Sequence, residues 1–230
     1  MSITGLFLCV LVFTAANSWN LALGALSGFG LATYTPFKRR WWGGPWYNAW
    51  IVAVLCFMAY LAASTGTSLR FPPSFFPMLG SVFFGYANFV LSGYFKDINA
   101  DARTGYNTLP VVFGRRIASF ASDGLAISFV VAATWTTLTA LGGSSFRSGH
   151  LLALVFGVPG LYHVIAGQVL LHRNRDDADA FRPIQHVLQS YLLVLSALIV
   201  VLRPEWFTFI AAHYGLFTIV LARRPEAEQI

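Results

Sequence analysis

Asp97 and Asp101 stand four residues apart where an apolar stretch gives way to the polar run Lys96-Asp97-Ile98-Asn99-Ala100-Asp101-Ala102-Arg103-Thr104-Gly105. On a helix, that spacing puts both carboxylates on one face. Like charges held together near lipid repel unless a cation sits between them, and ionisable groups at a membrane boundary mark functional sites by default. Mg²⁺ suits such a pair, because it takes one or two carboxylates, keeps waters and completes its shell with phosphate oxygens. The competing reading is a solvated interfacial turn that merely ends a helix. Basic residues on the same side weigh against it. Lys38, Arg39 and Arg40 follow Tyr34-Thr35-Pro36-Phe37, and Arg103, Arg115 and Arg116 surround the acidic turn, so donors suited to a phosphate anion are at hand. Alone, each basic cluster reads as a topology signal; beside paired carboxylates they compose a diphosphate site.

The elements that must position these residues are membrane helices. Hydrophobic residues make up 57% of the 230-residue chain and charged residues 10%, with mean hydropathy +0.64, far from the roughly 25% charged of soluble domains. From Met1 to Phe37 no charged side chain occurs, a run that as one helix would measure about 55 Å against a hydrocarbon core of about 30 Å. It must double back, and the polar cluster Asn17-Ser18-Trp19-Asn20 places the turn. The remaining apolar runs complete eight predicted passes, at about 3–17, 20–35, 46–64, 73–95, 117–140, 150–171, 184–202 and 206–222. Runs of this length fit helices, and the alternation of an outer-membrane barrel is absent. The expectation is an all-α, multi-pass bundle forming one domain over 1–230.

Charge supports that layout. One side receives Lys38, Arg39, Arg40, Lys96, Arg103, Arg115, Arg116, Arg173, Arg175, Arg182, Arg223 and Arg224, and the other Arg70, Arg147 and Arg203, a split of 12 to 3. Cationic loops stay cytoplasmic, so both termini and the acidic turn are expected there. Topology thus accounts for the net charge of +6 without nucleic acid as a partner. Met1-Ser2-Ile3 lacks the positive segment of a signal peptide. Cys9 and Cys56 fall within apolar passes and read as small hydrophobes.

The string Asp97-x-x-x-Asp101-x-x-x-Gly105, continued by Thr108-Leu109-Pro110-Val111 and Gly114, resembles the second aspartate-rich motif of the UbiA superfamily of intramembrane prenyltransferases, and Tyr34-x-x-x-Lys38 is similar to that family's Tyr-x-x-x-Lys element. Both occur in the family's order, and the resemblance covers essentially the whole chain. It implies a nine-helix fold around a cavity where two Asp-rich motifs bind Mg²⁺ and a polyprenyl diphosphate. Here the first two helices and the first motif would precede Met1, so an upstream extension of the reading frame is expected to supply them. The implied activity is Mg²⁺-dependent transfer of a prenyl group from a prenyl diphosphate to a lipophilic acceptor such as a quinone, porphyrin or lipid precursor. Asp97 and Asp101 would hold the metal, with Tyr34, Lys38, Arg39, Arg103 and Arg115 on the diphosphate and membrane lipid around the bundle. The alternative is a catalytically inactive remnant or another non-enzymatic membrane protein.

Other polar residues have plainer readings. Asp176, Asp177 and Asp179 alternate with arginines in what reads as a solvated connector. Asp123 lies just inside the fifth pass, facing either the interface or a polar cavity. Asn48, Asn88 and Ser92 are expected to bond across helices, and His163 beside Tyr162 to be a packing residue. Trp41, Trp42, Trp46 and Trp50 fit an interfacial aromatic belt.

Overall fold

The computed structural model describes residues 3–64, 70–141 and 148–223, which hold no strand. Each predicted pass is a helix. The first two are α1 (Ile3–Ala16) and α2 (Trp19–Arg40), and the turn between them falls on the predicted polar cluster. There the Asn17 side-chain oxygen accepts the Trp19 N–H at 3.0 Å, and Asn20 donates to the Phe13 carbonyl at 3.0 Å. α2 runs past its predicted end through Pro36 to Lys38-Arg39-Arg40, where three cations face the negative end of the helix dipole. α3 (Gly44–Ala63) starts with Pro45 in its first turn, where no backbone N–H is needed.

α4 (Phe75–Gly93) gives way to a 3₁₀ turn, Tyr94–Lys96, and then to the short α5 (Ile98–Thr104). α6 (Leu109–Leu141), α7 (Ser148–Arg173), α8 (Phe181–Leu202) and α9 (Phe207–Ala222) complete the chain. α3, α4, α6, α7, α8 and α9, the last taken with the 3₁₀ turn Pro204–Trp206 before it, are each long and apolar enough to cross a membrane. α1 has 14 residues, about 21 Å against a core of about 30 Å, and the apolar run of α2 is diluted by Gly, Ser, Thr and its terminal cations. Arg147 and Arg224, two of the cations in the charge count, lie outside the described residues.

α4 is the hub. It packs against α3, α6 and α8, while α7 lies along α8. Small residues at the crossings, Ala49, Ala87 and Ala118, let the backbones approach around Leu91, Phe95, Leu171 and Val187. In lipid the hydrophobic effect offers no preference for one apolar face over another, so shape and hydrogen bonds decide which helices meet. One such set joins three helices: Ser122 of α6 lies 2.5 Å from the Asn88 oxygen of α4 and 2.9 Å from the Gln168 oxygen of α7. A single hydroxyl proton serves one acceptor, so one amide must present its NH₂ instead. Asn88 therefore fills the cross-helix role its type predicts. Ser92 bonds within its own helix, to the Phe89 carbonyl at 2.8 Å.

Ser122→Ala should lower the free energy of unfolding in detergent by about 1 kcal/mol, the scale of interhelical hydrogen bonds in membranes. An unchanged SDS-unfolding midpoint would show that the three helices do not depend on this contact.

Candidate functional site

The acidic turn is not a continuation of α4. The 3₁₀ turn re-aims the chain, Asp97 sits immediately before α5, and its carbonyl accepts the Asp101 N–H at 2.7 Å. The four-residue relation is thus kept within a separate short helix. Gly105 ends that helix at φ 74°, in the left-handed region that glycine enters without penalty. The Tyr106 N–H then returns to the Asp101 carbonyl at 2.9 Å and the Gly105 N–H to Ala102 at 3.4 Å, a Schellman closure. Gly114, at φ 80° and ψ 163°, interrupts α6 one turn after it starts. Both glycines of the motif therefore have positive φ, which other residues adopt only rarely.

The two sequence elements meet here. Lys38 Nζ lies 3.3 Å from Asp101 Oδ1 and sits over two aromatic faces, 4.8 Å from the Tyr94 ring centre and 5.0 Å from that of Tyr106. Cation–π attraction of this kind fixes an ammonium without consuming its hydrogen-bond donors. Tyr34, one turn before Lys38, shares a hydrogen bond of 2.9 Å with the Tyr94 hydroxyl. The Asn107 N–H closes the arrangement on the Arg39 carbonyl at 3.2 Å. α2 is thereby tied to both ends of α5.

Asp101 is 6% exposed, and its Oδ2 is buried with no hydrogen-bond partner among the described residues. Asp97 is half-buried, and its carboxylate likewise has no hydrogen bond among the described residues. Burial pushes the Asp97 carboxyl above the usual carboxylate range, and Asp101 and Asp177 push the same way against Lys96 and Lys38. Two hard oxygen donors without partners, one of them desolvated, fit Mg²⁺. No group of three or more His, Cys, Asp or Glu side chains gathers among the described residues; Mg²⁺ held by one or two carboxylates would complete its shell with water and phosphate oxygens.

The remaining basic residues divide. Arg39 and Arg103 are exposed. The Arg115 guanidinium is engaged by Asn174 and Asp177 and reaches the Phe95 carbonyl at 3.3 Å. The other Asp177 oxygen accepts the Asn99 N–H of α5 at 2.9 Å. Asp177 thus clasps the acidic helix to α6, although its loop reads as a solvated connector. Nothing in the sequence signals that pairing, because the partners stand 62 and 78 residues away. Asp176 and Asp179 of the same loop are exposed, as a connector predicts. Tyr94 and Tyr106, which bracket Lys38, also escape a reading confined to charged residues.

Two other polar residues find partners elsewhere. His163 Nδ1 lies 2.9 Å from His186 Nδ1 between α7 and α8, a packing contact as expected. Asp123 Oδ2 is 2.7 Å from His172 Nε2.

No curated protein and no solved structure matches the chain. The model of the UbiA prenyltransferase family matches residues 1–189, a stretch that includes the Tyr34–Lys38 element, the Asp97–Asp101 turn and the Asp177 clasp. With described residues that are helical, an acidic helix ended by Gly105 and a positive-φ Gly114 in α6, this chain belongs to the UbiA prenyltransferase family.

Proposed function

We propose that this protein transfers a prenyl group from a prenyl diphosphate to a lipophilic acceptor, in a Mg²⁺-dependent reaction at the Asp97–Asp101 turn. The observation that carries this reading is the buried, unpartnered Oδ2 of Asp101 beside the Lys38 ammonium. Leaving a buried polar atom unsatisfied costs about 1–3 kcal/mol, more when it is charged, and a cation bound at this carboxylate oxygen would remove that cost.

Asp97 and Asp101 would hold Mg²⁺, which when bound neutralises diphosphate charge as the C–O bond breaks. The residues of the chain do the rest. Lys38, pinned between the Tyr94 and Tyr106 rings, offers charge-assisted bonds that strengthen as the leaving group gains charge. Tyr34 holds Tyr94 in place and so sets the height of the ammonium. Arg39 and Arg103, both exposed, flank the turn as further phosphate donors. Arg115 acts one step back, through Asp177, by fixing α5. The apolar helices hold the prenyl tail and keep water from the allylic carbon until the acceptor supplies its electron pair. The cation-rich end carries this turn, which the positive-inside rule assigns to the cytoplasmic side together with both termini.

Membranes containing the chain, given labelled prenyl diphosphate and a panel of acceptors, should release diphosphate in a manner abolished by EDTA and restored by Mg²⁺. Asp101→Asn should lower that release by about 100- to 1,000-fold, the loss typical of removing one preorganised electrostatic group, with insertion unchanged. Unaltered release would remove the assignment, and no release from the unsubstituted chain would favour an inactive member of the family. Asp177→Ala should reduce turnover while Asp179→Ala leaves it unaltered; equal effects would show that the loop acts only as a connector.

A further inference from the structure

A second amphipathic site lies on the outside of the bundle. α7 packs along α8 and meets α6 at Ser119–Leu171, Ser122–Gln168 and Asp123–His172, and the splay between α6 and α7 leaves a groove of about 720 Å³. Its floor is apolar, with Ile127 and Val131 from α6 and Leu161 and Ile165 from α7, all exposed to the surroundings of the bundle. Its one polar end is made by Asp123, His172 and Arg173. Asp123 Oδ2 lies 2.7 Å from His172 Nε2 there. His172 also walls an adjoining polar recess of about 360 Å³, shared with Arg115, Arg116 and Arg175. Arg115 is turned to Asn174 and Asp177. Arg116, Arg173 and Arg175 are exposed and make no ion pair among the described residues.

We infer that this groove and recess bind an anionic phospholipid of the bilayer, one acyl chain lying between α6 and α7 and the phosphate at Arg173 and Arg175. Charge and length both select that occupant. Basic recesses between membrane helices on the cytoplasmic side attract anionic head groups. From Asp123 to Val131 the groove runs about 12 Å along α6, and from Leu161 to Arg173 about 18 Å along α7, bracketing the roughly 15 Å of one leaflet, half of a core of about 30 Å. All of its charge is at one end and none along its floor, the polarity of a single lipid. A protein segment would leave those cations unmatched along an apolar slot, and a free phosphate would leave the slot empty.

Native mass spectrometry of the full chain, released from micelles containing dioleoylphosphatidylglycerol or dioleoylphosphatidylcholine, tests this. One phosphatidylglycerol should be retained in preference to phosphatidylcholine. Arg173→Gln combined with Arg175→Gln should weaken retention about 30-fold, since each cation near an anionic surface contributes roughly a factor of five. Ile165→Trp, which fills the groove without touching its charge, should weaken it too, and Arg203→Gln at the other end of α8 should not. Equal retention of the two lipids, or retention untouched by both groove variants, overturns the inference. So does displacement of the lipid by millimolar inorganic phosphate, which would mark a phosphate site without a tail, or by farnesyl diphosphate, which would assign the groove to the prenyl donor. The assay needs no turnover, so it stands or falls independently of the proposed reaction.

Discussion

A carboxylate oxygen taken out of water needs a hydrogen-bond donor or a cation, and the Asp101 Oδ2 has no hydrogen-bond partner among the described residues. Isolated burial of a charge is opposed by a desolvation penalty of several kcal/mol that only a close counter-charge offsets. Lys38 serves one oxygen of the pair at 3.3 Å and leaves the other. Much of the local architecture holds that unbalanced group in place. The 3₁₀ turn breaks α4, Gly105 caps α5, Asn107 binds the end of α2, and Asp177 pins the start of α5 to α6. A turn that only ended a helix would relax toward water; this one is braced from three helices and a loop.

The bundle explains how such a turn survives at a membrane edge. α4 packs centrally, and Tyr94 and Phe95 of the 3₁₀ turn that follows it are buried where α3, α6 and α8 converge. The 3₁₀ turn and α5 therefore start from a rigid platform rather than from a fraying end. Aromatic rings fill the surrounding layer: Phe37 stacks on Tyr47 at 4.6 Å, and Trp42 meets Phe113 edge-on at 5.6 Å. These rings supply bulk, and the Tyr47 hydroxyl is taken up by Thr33. Lys38 can then be held by π-faces while the donors not given to Asp101 stay available to a phosphate.

The helices were legible because lipid leaves the backbone few choices: long apolar runs must satisfy their hydrogen bonds internally. The turn at Asn17–Asn20 could be read for the same reason, as the one place where polar side chains interrupt such a run. The acidic site was legible through its spacing, with Gly105 and Gly114 marking backbone that only glycine enters readily. Two things were hidden. The break that starts at Tyr94 leaves no compositional mark before Lys96, since the apolar run continues through Tyr94 and Phe95. Asp177 with Arg115, and Asp123 with His172, join residues 62 and 49 apart in the chain, and a lone sequence carries no record of which distant charge folds against which. The loop holding Asp177 was read from its composition, which describes its exposed neighbours Asp176 and Asp179 and not the one acid that is held.

The central claim is that Asp97 and Asp101 together grip a divalent cation that also grips diphosphate. Pulsed electron paramagnetic resonance with Mn²⁺ in place of Mg²⁺, on chain labelled with ¹³C at its aspartate carboxyls and supplied with prenyl diphosphate, addresses it directly. Hyperfine coupling to both ¹³C carboxylate and ³¹P is the predicted result, with the carbon coupling reduced in Asp101→Asn. Phosphorus coupling with no carboxylate coupling would place the ion on the diphosphate away from these side chains and contradict the account.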